Sequence, residues 1–493
     1  MYYEKTERRT EMPQKSGLKK NLFLSTFYQV LKMVLPLITA PYAARVLGVD
    51  GTGIYSYTHA YVTYFMLFGA LGMVSYGGRE IARHRNNKDE RSQIFWEIAI
   101  LTFITTTISL LAWGIWILFN REYRVYYIIL TFYLVGTMFD ISWLYGGMEE
   151  FKYTVTQNSL FKIIGTISIF VFVKKAEDLW IYILIMSLTT CLANISMWIY
   201  LPKFVNRVPL KGIRLKKHLK ETIIYFIPTI AISVYTILDK TLIGLITQDT
   251  SENGNYEQAT KIVNMAKSVC FAGVNAVLHS RIYYLFTEKK YEEIKQRISA
   301  SMDYILFIGI GICFGIIGVA QRFVPLYFGP GYEATILLLQ LMSPLIIIVG
   351  ISNCLGDQYY NPAGLRAQSA KYIITGSVVN LILNLIFIPR LKRTGAVIAT
   401  LIAETVISVL YFSNCSGYYR LNVFIRQISR KLFAGIVMMI VVLLLGSVID
   451  NAFVSVIVQI LTGGIVYCVS LLLMKDSFMT DVVILNLKKL IKK

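Results

Sequence analysis

The sequence predicts an all-α polytopic membrane protein with about 14 transmembrane helices: two pseudo-symmetric six-helix lobes and two further C-terminal helices. Three observations predict it. Hydrophobic residues make up 55% of the 493 and charged residues 16%, with a mean hydropathy of +0.56, a balance suited to a chain whose solvent is mostly lipid. Apolar runs of about 20 residues recur along the chain, each long enough to cross about 30 Å of hydrocarbon. Lys and Arg collect between these runs rather than on one soluble face.

The first six runs lie at about 22–47, 54–77, 94–119, 125–146, 153–173 and 179–201. A basic connector, PKFVNRVPLKGIRLKKHLK, separates them from runs at about 221–246, 259–280, 298–320, 333–355, 367–388 and 395–417. Two more, at about 431–449 and 452–474, precede a Lys-rich tail. The expected division is therefore 1–220 for helices 1–6, 221–417 for helices 7–12, and 418–493 for helices 13–14 with the tail. Residues Met1 to Lys20 are polar and basic without a small-residue cleavage site, and are read as retained.

An even number of crossings puts both termini on one side. With that side cytoplasmic, about 33 of the 49 Lys and Arg fall in inner segments, about 8 in outer loops and about 8 within spans, the bias expected of cytoplasmic loops. The loop Pro389 to Thr394 is basic on the outer side, a local exception. Both halves open with a Pro-bearing span, Pro36 and Pro41 in the first and Pro228 in the seventh, which are candidate bending points.

The formal charge of +20 is spread between spans, which argues against nucleic acid as a partner. Six cysteines without CxxC pairing and four scattered histidines give no metal-ligand spacing. No Ser/His/Asp or Cys/His constellation or P-loop is present, so the chain is read as a carrier, not an enzyme, with no cofactor.

Charges inside spans are the strongest functional signal. Lys32 lies about 15 Å beyond Leu22, near the bilayer midplane, where a lone ammonium costs about 2.5–3.5 kcal/mol and faces a bundle interior or aqueous cavity. Gln29, Pro36 and Thr39 share its face. In the seventh span Tyr225, Pro228, Tyr235 and Asp239 align, with Thr229, Ser233, Thr236 and Lys240 beside them. In the eighth, Glu257, Lys261, Asn264, Ser268 and Asn275 form a stripe with Lys267 at its shoulder. Antiparallel geometry puts Asp239 and Lys261 at similar height in the outer half, where they could pair. Lys267 and Lys32 reach similar depth, a cationic centre suited to a phosphate or diphosphate. The alternative is that each lysine is neutralised locally and only holds helices together.

Glu404 is the deep carboxylate, a candidate proton or cation site. Glu97, Asp140, Asp303 and Lys371 fall near the inner boundary and read as structural. Tyr57, Tyr61, Tyr64 and Phe68 align on the second span, as an interfacial belt or a surface for stacking sugar rings.

The stretches PLITAPYAARVLGVDGTGIYSYT and LFGALGMVSYGGREIA resemble the opening of bacterial polysaccharide and O-antigen flippases, within the multidrug/oligosaccharidyl-lipid/polysaccharide exporter superfamily. ILDKTLIG with NYEQATKIV is similar to their seventh and eighth spans, and NLILNLIFIPRLKRTGAVIATLIAE to their eleventh and twelfth. The resemblance implies two lobes around a cationic cavity that flips a polyprenyl-diphosphate-linked oligosaccharide by alternating access in the bacterial cytoplasmic membrane, for capsule or O-antigen-type polysaccharide. The implied cavity positions are Lys32, Arg45, Lys240, Lys261 and Lys267, with Asp239 as counter-charge; Asn264 and Tyr61 are added from the polar stripe and the aromatic face. Membrane lipids, and a polymerase and glycosyltransferases, are the implied partners. His279 stands where the pattern usually has proline. A cation-coupled drug exporter of the same superfamily is the first alternative, disfavoured by Lys32 and Lys267; a membrane-embedded glycosyltransferase or polymerase is the second.

Overall fold

The computed structural model describes residues 15–209 and 213–480. The side chains of residues 15–26, 225, 227–229, 231–232, 234–235 and 272–281 are not part of that description, so the expectations for Tyr225, Pro228, Thr229, Tyr235, Asn275 and His279 lie outside the described residues. Every regular element among the described residues is helical. In chain order the α-helices are α1 (Lys15–Ala70), α2 (Met73–Arg83), α3 (Lys88–Phe119), α4 (Arg124–Met138), α5 (Ser142–Gly147), α6 (Phe151–Phe172) and α7 (Leu179–Met197). They continue with α8 (Leu215–Thr247), α9 (Thr250–Thr287), α10 (Tyr291–Phe328), α11 (Glu333–Met342), α12 (Leu345–Leu355), α13 (Arg366–Ser413), α14 (Leu421–Val448) and α15 (Ala452–Leu473).

Among the described residues, ten stretches are long and apolar enough to cross a membrane. Two of the ten contain a break: α1 at Gly48, where φ is 70°, and α13 at Lys392, where φ is 50°. Glycine adopts the first at no steric cost. Each break turns one long helix into two segments of spanning length, and α8 and α9 are long helices outside the ten. The sequence expectation of about fourteen spans is thus met by ten stretches of spanning length and composition among the described residues, two of them broken, with α8 and α9 long helices beside them.

The chain forms two compact units. The first runs to Thr39 and includes Tyr64–Val173 and Trp180–Ile227; the second holds Ala40–Thr63, Lys174–Leu179 and the chain from Pro228 onward. The units thus interleave in sequence, with the middle of α1 belonging to the second and the two C-terminal helices joining it as well.

In the first unit α2 packs on α5 through Gly77, where a Cβ would stand 2.7 Å from the Trp143 indole. That indole stacks on Phe95 of α3 at 5.3 Å. Beside it runs a buried polar chain. The Tyr76 hydroxyl bonds His218 Nδ1 at 2.6 Å, and His218 Nε2 bonds Glu97 Oε2 at 2.6 Å. The Arg214 backbone N–H donates to the other Glu97 oxygen at 3.0 Å. Glu97 therefore fastens the start of α8 to α2 and α3, and the Tyr76, His218 and Glu97 side chains that do so are all buried.

In the second unit, α10, α14 and the turn after α15 meet at a fully buried Lys431. Its ammonium contacts Asp303 Oδ1 at 2.6 Å and Asp476 Oδ2 at 2.8 Å. Asp476 also accepts the backbone N–H groups of Phe478 and Met479, so it holds the end of the described chain in place. Near the other end of the unit, Arg393 Nη1 lies 2.8 Å and Lys392 Nζ 3.4 Å from Glu252. The basic loop that broke the charge rule is thus neutralised by a carboxylate on α9, which also anchors the left-handed backbone at Lys392. Asp249, the N-cap of α9, accepts from the Ser251 hydroxyl and N–H. Those bonds, with Lys392 and Arg393 nearby, hold its carboxyl below the usual range.

Replacing Lys431 with Ala leaves two buried carboxylates facing each other, a loss of about 3–5 kcal/mol. The apparent melting temperature of the detergent-purified protein is expected to fall sharply in Lys431→Ala and only slightly in Asp476→Asn, where Asp303 still holds the ammonium. Equal melting of Lys431→Ala and the parent would show that the triad does not hold these helices.

Candidate functional site

Close approach of α1 to α8 and α9 creates the site, and glycines permit it. A Cβ on Gly53 would collide with the Thr250 carbonyl, one on Gly254 with the Val49 carbonyl, and one on Gly244 with the Tyr57 ring. With no side chains in the way, Ser56 of α1 comes within bonding distance of α9.

At that crossing three charges share one place. Glu257 Oε2 accepts from the Lys240 ammonium at 2.6 Å and from the Ser56 hydroxyl at 2.9 Å; its other oxygen lies 3.5 Å from Lys261 Nζ. The carboxylate is 10% exposed while the lysines keep 23% and 30%. One carboxylate between two ammonium groups leaves a formal excess of one positive charge. His59 lies within electrostatic range of all three. Asn253 donates to the Lys240 backbone carbonyl at 3.0 Å and braces that helix. Chemically, the pair of lysines is a point-charge binder for a phosphate-type anion, and Glu257 is the group such an anion would have to displace.

One residue before Lys240, Asp239 faces a different environment. Its carboxylate is 4% exposed and accepts from the Tyr256 hydroxyl at 2.5 Å, Asn384 Nδ2 at 2.6 Å and the Thr400 hydroxyl at 2.7 Å. Asn384 also donates to Asn380 Oδ1 at 2.9 Å, and Asn380 Nδ2 to Thr400 at 3.2 Å. Asn384 Oδ1 is buried in this cluster without a hydrogen-bond partner. The carboxylate, hydroxyl and amide oxygens gathered here are of the kind that suit a hard cation; among the described residues no group of three or more His, Cys, Asp or Glu gathers around a metal-sized space.

The anticipated pairing of Asp239 with Lys261 is therefore corrected. Asp239 turns to Tyr256 and the two halves of α13, and the counter-charge of Lys240 and Lys261 is Glu257. Sequence spacing placed Glu257 on the Lys261 stripe, one helical turn away, but gave no reason to prefer it over Asp239, since both lie at similar depth. Ser56, Tyr256, Asn380, Asn384 and Thr400 were not anticipated. Their only signal was the density of polar residues in segments otherwise long and apolar.

Other anticipated residues take separate places. Lys267, about 9 Å further along α9 than Lys261, is half-buried, with Glu404 as the carboxylate whose charge acts on it. Asn264, between them on the stripe, is exposed. Lys32 belongs to the first unit, exposed, with its ammonium 5.3 Å above the Tyr28 ring. Arg45 is exposed; its guanidinium donates to the Leu326 carbonyl in the last turn of α10, and its stem packs beside Gly329, a helix C-terminus where cations are favoured. Tyr61 is corrected. Only 8% exposed, it stands edge-on to Tyr57 with the hydroxyls 3.2 Å apart, a packing residue and not an open stacking face.

The family model described as "Polysaccharide biosynthesis protein" matches residues 18–279. An Escherichia coli (strain K12) protein named "Putative O-antigen transporter" is 25% identical over 401 residues, 80% of this chain and 96% of its own. A Haloferax volcanii protein named "Probable low-salt glycan biosynthesis flippase Agl15" is 24% identical over 238 residues, 47% of this chain and 49% of its own. Among solved structures, "Lipid II flippase MurJ, inward closed conformation" aligns with a TM-score of 0.70 at 15% identity, covering 93% of this chain and 99% of that one. The MATE multidrug transporter DinF-BH aligns at 0.52 and 15% identity, covering 84% and 98%. These structural likenesses show a shared multi-pass transporter fold.

Removing the Asp239 carboxylate strands three donors, each worth about 1–3 kcal/mol when left unpaired and buried. Asp239→Ala is expected to melt well below Asp239→Asn in detergent, because the amide oxygen still accepts one of them. A reversed order would mean that the cluster is not closed around this carboxylate.

Proposed function

The chain belongs to the polysaccharide biosynthesis protein family, and we propose that it is a flippase that carries polyprenyl-diphosphate-linked oligosaccharide repeat units across the bacterial cytoplasmic membrane by alternating access. The observation that carries this reading is the pair Lys240 and Lys261 converging on one carboxylate inside helices of membrane-spanning length. Two ammonium groups at that depth are costly unless they serve an anion, and a diphosphate offers more charge and more acceptor oxygens than one Glu257. The names of the relatives, a transporter of O-antigen and a glycan flippase, support the same cargo.

The mechanism follows from competition. Glu257 and the diphosphate contend for the same two lysines, so the site binds the headgroup in exchange for an internal ion pair and releases it when the pair re-forms. Lys267 and Asn264, further along the same helix, extend the polar track toward the first sugars; Lys32 enters the proposal on its depth in the sequence alone. Asp239 and Glu404 are the coupling candidates: Asp239 sits in an oxygen-rich cluster that a proton or hard cation would neutralise, and its neighbour in sequence is Lys240, so loading one site alters the field at the other. The prenyl chain stays in lipid. The protein acts as a carrier, receiving a product of glycosyltransferases and passing it to a polymerase, with fourteen crossings and both termini cytoplasmic as the lysine and arginine distribution implies.

The test measures binding of a polyprenyl diphosphate to the purified full chain and surface glycan in cells. Lys240→Ala with Lys261→Ala is expected to weaken binding by about 100-fold, roughly two charge-assisted contacts, and to stop export. Glu257→Gln is expected to tighten binding and slow export, because the competitor is gone while the lysines remain. Unchanged binding in the double lysine variant would end the proposal. For Lys32 and Lys267, single Ala variants that insert normally are expected to lose surface glycan; normal export in both would remove them from the site.

A further inference from the structure

A cavity of about 570 Å³ opens between α12, the end of α13, the turn that follows it and the start of α14. Its volume is that of an ordinary ligand pocket, about 300–1,000 Å³. Apart from the exposed Ser413 at the end of α13, the polar groups in its wall are already spent. Ser408 donates to the Ile348 carbonyl at 2.7 Å, Thr405 to the Leu401 carbonyl at 2.7 Å, the Cys415 thiol to the Tyr419 carbonyl at 3.3 Å, and the Tyr419 hydroxyl to Gln427 at 2.5 Å. What the wall presents to an occupant is hydrocarbon, from Ile348, Ile351 and Phe412. The rim is apolar and open: Val409 is 55% and Leu421 58% exposed.

A cation stands among the lining residues in sequence. Arg420 stands between the lining residues Tyr419 and Leu421 and one turn before Phe424, which also lines the cavity. It is exposed, and its guanidinium makes no ion pair or side-chain hydrogen bond among the described residues. From Thr405 to Ser413 the wall runs eight residues along α13, about 12 Å, which is most of one leaflet's share of about 30 Å of hydrocarbon. A slot of that depth, greasy along its length and bordered in sequence by an exposed arginine unpaired among the described residues, matches a lipid whose headgroup is negative.

We infer that this cavity seats an acyl chain of an anionic membrane phospholipid whose phosphate is held by Arg420. The site belongs to the second unit and is separate from the Lys240–Glu257–Lys261 cluster, so it stands whether or not the cargo is a lipid-linked oligosaccharide. Bound lipid would splint the turn between α13 and α14, residues 414–420, which contains Ser416 and Gly417 at φ 51° and 75°.

The test uses the full chain in detergent, titrated with phosphatidylglycerol or phosphatidylcholine and read by native mass spectrometry. Phosphatidylglycerol is expected to be retained in preference, and Arg420→Ala to weaken it about tenfold, the size of one charge-assisted contact, leaving phosphatidylcholine as before. Arg420→Lys keeps most of the preference, and Val409→Trp, which narrows the rim without touching the cation, weakens both lipids. Equal retention of the two lipids by the parent chain, unchanged phosphatidylglycerol in Arg420→Ala, or indifference to Val409→Trp would each overturn the inference. So would a polyprenyl phosphate that displaces phosphatidylglycerol from this cavity at equal concentration.

Discussion

One carboxylate held by two ammonium groups governs how this protein's second unit is assembled. Glu257 draws Lys240 from α8, Lys261 from its own helix and Ser56 from α1 to a single point. The buried Glu257 carboxylate is not tolerable unpaired, so the three helices are held to one register at this point. The glycines at 53, 244 and 254 are a consequence of the same constraint. The ion pair demands an approach that side chains at those positions would block.

The requirement that buried charge be answered recurs at each end of the fold with different partners. Lys431 answers two aspartates, Glu252 answers Lys392 and Arg393, and Glu97 answers His218 and a backbone N–H. Two of these are closed, around the fully buried Lys431 and the nearly buried Glu97; at Glu252 the carboxylate is buried while Lys392 and Arg393 keep 56% and 24% of their surface open. The Lys240–Glu257–Lys261 cluster shares the form of the Glu252 cluster, a buried carboxylate with partly open cations, here about a quarter of their surface, but it joins residues inside three helices, whereas Lys392 and Arg393 sit at the break in α13. Because Lys240 and Lys261 are partly open, an incoming group can reach them without first unpacking the core.

The fold was legible in the sequence because hydropathy is a sum over some twenty residues and survives local irregularity. Both breaks fall where a loop was anticipated, at Gly48 and in the stretch Pro389 to Thr394. The site was legible only in part. Helical spacing put Glu257 and Lys261 one turn apart, and depth put Asp239 level with Lys261. Neither says which way a side chain turns about its helix axis relative to a neighbouring helix, and that rotation decides the pairing. Asp239 is claimed by Asn384 and Thr400, which lie about 150 residues away and carry no charge to betray them. The Arg45 contact was illegible for a related reason. A cation at the end of a span reads as cavity-lining by resemblance, while the carbonyl it caps, Leu326, is an atom every sequence possesses.

Asp239 and Lys240 are consecutive, so their side chains leave α8 about 100° apart, given 3.6 residues per turn. One meets the buried oxygen cluster of α9 and α13, the other the Glu257 cluster of α1 and α9. A small rotation of α8 about its axis would trade contact in one cluster for contact in the other, with no need for a long pathway between them. Tyr256 and Glu257 repeat the arrangement on α9, adjacent residues committed to the two clusters in the same order. The two helices are thus doubly registered, and any change in the charge of one cluster is felt by the other through two rigid neighbours. Coupling of this kind requires only that the elements move as bodies, which packed helices do.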